Sequence, residues 1–182
     1  MRGIAFGAQR IKFSGMNIFT LRHGIAVERD EWNSKNDAER PLTAEGKKQL
    51  RKTCRALEKM ELDFNLILSS PFMRAKQTAE IVADKLKLKK LLKFSDELQP
   101  SGSVKNLFRQ LDDLKPAPEN ILLVGHEPYL SELISLLISG VETVAIDFKK
   151  GGLCKLEVEK LRTGKCAALA WLLTPKQMKW MR

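Results

Sequence analysis

Apolar residues in this chain bunch into short continuous runs. Longer stretches between them carry apolar residues every three or four positions. The run over residues 17–21 predicts a buried strand. A polar loop follows through "ERDEWNSKNDAERP". Thr43 then caps a helix predicted over 44–60, with Glu45 in its first turn, where a carboxylate suits the positive helix end. "FNLILSS" predicts a second buried strand, and "SPFMRAKQTAEIVADKLK" a helix with Ser70 as its cap and Pro71 at its first position. Ala75, Ala79, Val82 and Leu86 share the core face of that helix. A strand near 91–94 and a helix near 103–114 come next, then the apolar strand "NILLVG". The helix after it carries Leu130, Leu133, Ile134, Leu137 and Ile138 on one stripe. "TVAIDF", "GLCKLEVE" and "ALAWLLT" read as late strands, the last two as a hairpin.

Strands alternating with helices predict an α/β fold, a mostly parallel central sheet with helices on both faces. Residues 16–182 read as one domain. Residues 1–15 read as an extension, either a disordered leader or a start placed too early. In open sheets of this kind, sites form beyond the carboxyl ends of the strands. The first strand ends at Arg22-His23, the second just before Arg74, and "ILLVG" at His126. These are the only two histidines in the chain, and both fall on that rim. Helix N-termini arrive there too, and their unpaired N–H groups favour an anion.

Composition narrows the class. The chain has 182 residues, 43% apolar and 30% charged, a balance that supports a sizeable core. No window approaches the roughly 18 consecutive apolar residues of a membrane helix, so no membrane partner is expected. Three cysteines, Cys54, Cys154 and Cys166, lack metal-ligand spacing and read as reduced thiols of a cytoplasmic protein. The net charge is +10, with a lysine run at Lys85 to Lys93. Such a run is usually a solvated face; without a nucleic-acid module or interleaved aromatics it does not point to nucleic acid.

Two arginines and two histidines beside helix N-termini suit a phosphoryl group. A guanidinium fork can grip two phosphate oxygens. An imidazole with one nitrogen held as a donor keeps the other unprotonated, able to attack phosphorus and form a phosphoenzyme. Neither a metal nor another cofactor is called for.

The motifs "LRHG", "SSPFMRAKQTAE" and "VGHEP", in that order, resemble the histidine phosphatase superfamily, with its phosphoglycerate mutase-like fold. "RPLTAEG" (Arg40 to Gly46) and "DELQPSG" (Asp96 to Gly102) are similar to its small SixA-type branch of phosphohistidine phosphatases. The resemblance spans about residues 16–173. It implies a three-layer α/β/α sandwich with His23 as the phosphorylated nucleophile. Arg22 and Arg74 would hold the phosphoryl oxygens, and His126 would donate to the phosphoryl group. Gly24 would let the backbone pass close to the ligand, and Glu97 is a further candidate at the substrate. Larger relatives carry an acidic proton donor within a Gly-x-Trp-Glu-Gly-like stretch, which this chain lacks.

That departure bears on the substrate. An alkoxide leaving group needs protonation, whereas an imidazole, whose conjugate acid has a pKa of about 6.5, leaves with little help. The expected substrate is therefore phosphohistidine on a protein such as a phosphocarrier domain, cleaved by a hydrolase. A small-molecule phosphomonoesterase on the same scaffold and a non-catalytic phospho-binding module are the alternatives. The sequence does not set the oligomeric state.

Overall fold

The computed structural model describes residues 15–32 and 36–181. The expectation for residues 1–15 therefore lies, apart from Gly15, outside the described residues. Strands β1 (Met16–Arg22), β2 (Leu66–Ser69), β3 (Leu92–Phe94), β4 (Asn120–Gly125), β5 (Leu153–Val158) and β6 (Ala167–Leu173) form one sheet in the order β3-β2-β4-β1-β5-β6. Pairing is parallel from β3 through β1. β5 runs antiparallel to both β1 and β6, so β6 points the same way as β1.

Helices α1 (Ala44–Lys59), α2 (Met73–Lys85), α3 (Val104–Asp112), α4 (Tyr129–Ser139) and the short α5 (Pro175–Met178) flank the sheet. Alternation along the strands sorts them into layers. Ile121 and Leu123 of β4 face a core built with Leu107, Phe108 and Leu111 of α3 and Leu130, Leu133 and Leu137 of α4. Leu122 and Val124 face the other core, with Leu57 of α1, Ala75, Ala79 and Val82 of α2, and Met178 of α5. The result is the expected three-layer sandwich. Both faces of the central strands are covered, which is why β2 and β4 read as unbroken apolar runs.

Local chemistry sets the helix starts. The Thr43 hydroxyl accepts from Gly46 N–H at 3.0 Å and opens α1. Gly46 is there because α1 presses on the preceding loop: a Cβ would stand 2.1 Å from the Ile25 carbonyl oxygen. Ser103 caps α3 in the same way as Thr43. In contrast, α2 and α4, the two helices that leave β2 and β4 at their carboxyl ends, start without a side-chain cap.

Two expectations are corrected. Ser70 does not cap α2, which begins three residues later at Met73. Its N–H still pairs with the Val124 carbonyl at 2.9 Å, so Ser70 continues the β2–β4 ladder and its backbone cannot start a helix. "TVAIDF" is not a strand. The second edge of β1 is already taken by β5, and the segment spends its backbone on side chains. Val144 N–H donates to the Ser135 hydroxyl at 2.9 Å, and the Phe148 carbonyl accepts from Arg22. The cysteines are free, with Cys54 and Cys154 buried and Cys166 partly so. Burial pushes both buried thiols up to about 12, which makes them inert core residues.

Candidate active site

Strand order and register assemble the site. β4 lies between β2 and β1, with Arg22 opposite Gly125 and Ser69 opposite Val124. Running each strand on past its end sets His23 level with His126 at the carboxyl edge, with Ser70 one residue lower, level with Gly125. The two imidazole centroids stand 5.2 Å apart at an angle of 53°. His23 is 6% exposed, His126 1% and Arg74 4%, so the polar cluster is held inside the rim.

His23 Nδ1 lies 2.8 Å from its neighbour's carbonyl, Gly24 O. A carbonyl only accepts, so Nδ1 carries the proton and Nε2 keeps its lone pair. Burial, together with the Arg74, Arg22 and Arg40 guanidiniums, pushes the ring down to about 3 and outweighs the Gly24 hydrogen bond. His126 is pushed down to about 2, by burial first and then by Arg74. Both rings are neutral at physiological pH.

His126 Nε2 lies 2.9 Å from the Ser70 hydroxyl. That hydroxyl accepts from Phe72 N–H at 3.3 Å and still has its own hydrogen, which it can donate to Nε2. His126 is then protonated on Nδ1, a buried nitrogen with no partner. Arg22 Nε and Arg74 Nε are also buried without a partner. Three orphaned donors around two neutral rings are costly unless an oxyanion takes them up. The Phe72 ring walls the site, edge-on to His126 at 5.4 Å and 5.4 Å beneath the Arg74 guanidinium.

Each arginine is fixed by a second point. Arg22 donates from NH1 to the Phe148 carbonyl at 2.6 Å. Arg74 donates from NH1 to the Asp37 carbonyl at 2.9 Å and pairs through NH2 with the Asp37 carboxylate at 3.1 Å. The same carboxylate takes Arg40 Nε at 3.0 Å and Arg29 Nε at 3.5 Å. Burial would raise Asp37, but Arg74 and Arg40 hold it below its ordinary value, so it stays ionised. Asp37 is the residue that sequence reasoning missed. It sits in the polar loop, and Arg40, within "RPLTAEG", was the one visible hint.

Two other candidates take different places. A Cβ on Gly24 would stand 2.8 Å from Leu50 Cδ1, so the absent side chain makes room for α1. The Glu97 carboxylate accepts from Ser103 N–H at 2.9 Å and from the Asn106 amide at 3.4 Å, at the start of α3. Glu127, next to His126, accepts from Ser131 N–H at 3.1 Å. Burial holds its carboxyl above the ordinary value against the pull of Ser131 and Arg22. Among the described residues, no group of three or more His, Cys, Asp or Glu is placed to hold a metal ion, and no helix is long and apolar enough to cross a membrane.

A match to the histidine phosphatase superfamily (branch 1) covers residues 18–99. An uncharacterized protein of Picosynechococcus sp. is 34% identical over 142 residues, 78% of this chain and 84% of that protein. Phosphohistidine phosphatase SixA of Escherichia coli is 28% identical over 165 residues, 90% of this chain and 97% of that one. The solved structure of the protein histidine phosphatase SixA complexed with tungstate superposes with a TM-score of 0.76 at 28% identity, covering 88% of this chain and 98% of that one.

Proposed function

The chain belongs to the histidine phosphatase superfamily and to its SixA type, a phosphatase hydrolase, and from that premise we propose that it removes phosphoryl groups from phosphohistidine on proteins. The observation that carries this reading is the pair of neutral, facing imidazoles, His23 with Nδ1–H tied to Gly24 O and Nε2 left as a nucleophile.

In the first step the Nε2 lone pair of His23 attacks phosphorus, and the phosphorus–nitrogen bond to the substrate imidazole breaks. The departing imidazole takes the electron pair and is protonated from solvent. Arg22 and Arg74 hold the equatorial oxygens, whose charge peaks in the transition state. His126 donates from Nδ1 to one of those oxygens. In the second step water attacks phosphorus, the bond to His23 breaks and inorganic phosphate leaves. The neighbouring acids each have a protein partner: Asp37 is held by three guanidiniums, Glu97 by the start of α3 and Glu127 by Ser131 N–H. That fits a leaving group that needs little protonation. The fitting partner is a phosphohistidine-bearing protein such as a phosphocarrier domain. The three free thiols fit a cytoplasmic setting.

The test has two parts. Quenched turnover should trap acid-labile, base-stable phosphate on His23, absent from His23→Ala. Phosphohistidine protein should be turned over far faster than sugar phosphates or nucleotides. Faster turnover of the esters would instead make the protein a phosphomonoesterase on this scaffold, and trapped phosphate without turnover a binding module.

A further inference from the structure

A second basic feature lies on the catalytic edge of the sheet, outside the phosphoryl site. The first two turns of α1 and the C-terminal segment enclose a cleft of about 640 Å³. Four lysines line it: Lys48 and Lys52 from α1, Lys176 and Lys179 from the tail. Among the described residues, Glu45 is the one carboxylate on its wall.

Topology places this cleft beside the nucleophile. Leu21 pairs with Leu153, and Leu153 with Leu173. Adjacent strands lie about 4.8 Å apart, so the end of β6 stands roughly 10 Å from the end of β1. Thr174 then caps α5 through Gln177, and Met178, fully buried, pins that turn in the core. On the other side, Gly151 N–H donates to the carbonyls of Arg22 and His23 at 3.1 and 3.0 Å. A Cβ on Gly151 would meet Gln49 Oε1 at 3.1 Å and Pro175 Cγ at 3.4 Å, and both of those residues line the cleft. One residue thus separates the cleft wall from the backbone that carries the nucleophile.

Resting on the reading of a protein-borne phosphohistidine, we propose that this cleft docks an acidic surface of the phosphohistidine-bearing protein. Lys48, Lys176 and Lys179 are exposed, as a small-anion pocket would not leave them, so they suit a broad acidic face. Lining a cleft beside the phosphoryl site and outside it, they can steer the encounter of an acidic partner without touching the phosphoryl group. Trp180, 79% exposed beside Lys179, offers the aromatic anchor that protein interfaces favour. The lysines line a concavity, which fits a protruding protein element better than the plane of a membrane.

The test uses an acidic histidine phosphocarrier protein, phosphorylated with phosphoramidate, and free phosphohistidine as the small substrate. The variant reverses Lys48, Lys52 and Lys176 to Glu. A matched control reverses Lys90, Lys93 and Lys105, exposed lysines near the opposite, β3 side of the sheet. The cleft variant should lose roughly tenfold in kcat/KM on the protein and stay within about twofold on free phosphohistidine, with the control little changed on either. Neutral Ala replacements at the three cleft positions should lose an intermediate amount, which separates charge from misfolding. Equal losses in cleft variant and control, or none in either, overturn the docking site while wild-type turnover leaves the phosphohistidine reading standing. Equal loss on free phosphohistidine also overturns it, by making the lysines part of the phosphoryl site. So does wild-type sedimentation with phosphatidylserine vesicles that the cleft variant alone loses while keeping its protein turnover. A wild type that hydrolyses phosphate esters but no phosphohistidine overturns the underlying reading and the docking site with it.

Discussion

Lowering the pH is the sharpest perturbation of this site, because both histidines are buried without charge. His23 is held at about 3 and His126 at about 2, each by burial and then by the surrounding guanidiniums. In the unfolded chain both regain the ordinary imidazole value near 6.5. A depressed folded value means that the unfolded chain binds more protons below about pH 6.5, so stability falls as the solution is acidified. Integrating from pH 7.5 to 5.0, each ring costs about 2 kcal/mol, and the pair about 4 kcal/mol. That is a large share of the roughly 5–15 kcal/mol that holds a domain together. The window stops at pH 5 because Asp37, held low by Arg74 and Arg40, would add to the loss further down. Glu127, held high by burial, works in the opposite sense.

The assay is urea unfolding at half-unit pH steps, for wild type and for a His23→Asn/His126→Gln double variant. Wild type should lose about 4 kcal/mol across the window and the double variant about 1 kcal/mol or less. A wild-type loss under about 1 kcal/mol would mean that the rings are hydrated and titrate normally, and the argument for a neutral nucleophile would go with it. The same neutrality makes a kinetic statement. kcat/KM on a phosphate ester should show no acid limb near 6.5, since His23 stays unprotonated well below that value.

Three other substitutions probe separate contacts. Asp37→Asn weakens the grip on Arg74 NH2 and should lower kcat/KM by roughly tenfold without displacing His23; unchanged kinetics would show that Arg74 does not depend on the carboxylate. Ser70→Ala removes the hydroxyl that holds His126 Nε2 and should lower kcat by about tenfold, while Ser70→Thr restores most of it; equal losses in Ala and Thr would refute tautomer control. Gly24→Ala places a methyl 2.8 Å from Leu50 Cδ1 and should cost about 1–3 kcal/mol in thermal or urea unfolding. Adding Leu50→Ala should recover part of that loss, and strict additivity of the two changes would argue against the contact.

Most of the architecture was legible because covered strands leave unbroken apolar runs. Leu122 and Leu123 are adjacent in sequence yet face opposite cores, and only a doubly covered strand makes both apolar. The misreadings have physical causes. Ser70-Pro71 carries a normal helix-start signal, but pairing of Ser70 N–H with Val124 O, a contact with another strand, decides the backbone there. "TVAIDF" alternates like a strand, yet no sheet edge is left for it beside β1. Asp37 reaches Arg74 across 37 positions from a loop that also holds Glu28, Asp30, Glu31 and Glu39. Local pattern cannot choose among those acids, because the choice is made by where the loop lands on the rim.

The order of strands explains why two histidines 103 positions apart come to share a site. Chain order alone allows β4 to lie outside β2, where His126 would be a full strand away from His23. The insertion of β4 between β2 and β1 sets Arg22 against Gly125, and the next residue of each strand is a histidine. It also carries Ser70 to the far side of His126, where the hydroxyl fixes the ring. Parallel neighbours about 4.8 Å apart leave the rings little choice but a centroid separation of 5.2 Å. The close approach of the two rings, and of Ser70 to His126, thus descends from one topological fact. A single-residue slip of β1 against β4 would aim one ring at the opposite face of the sheet and dissolve the pair.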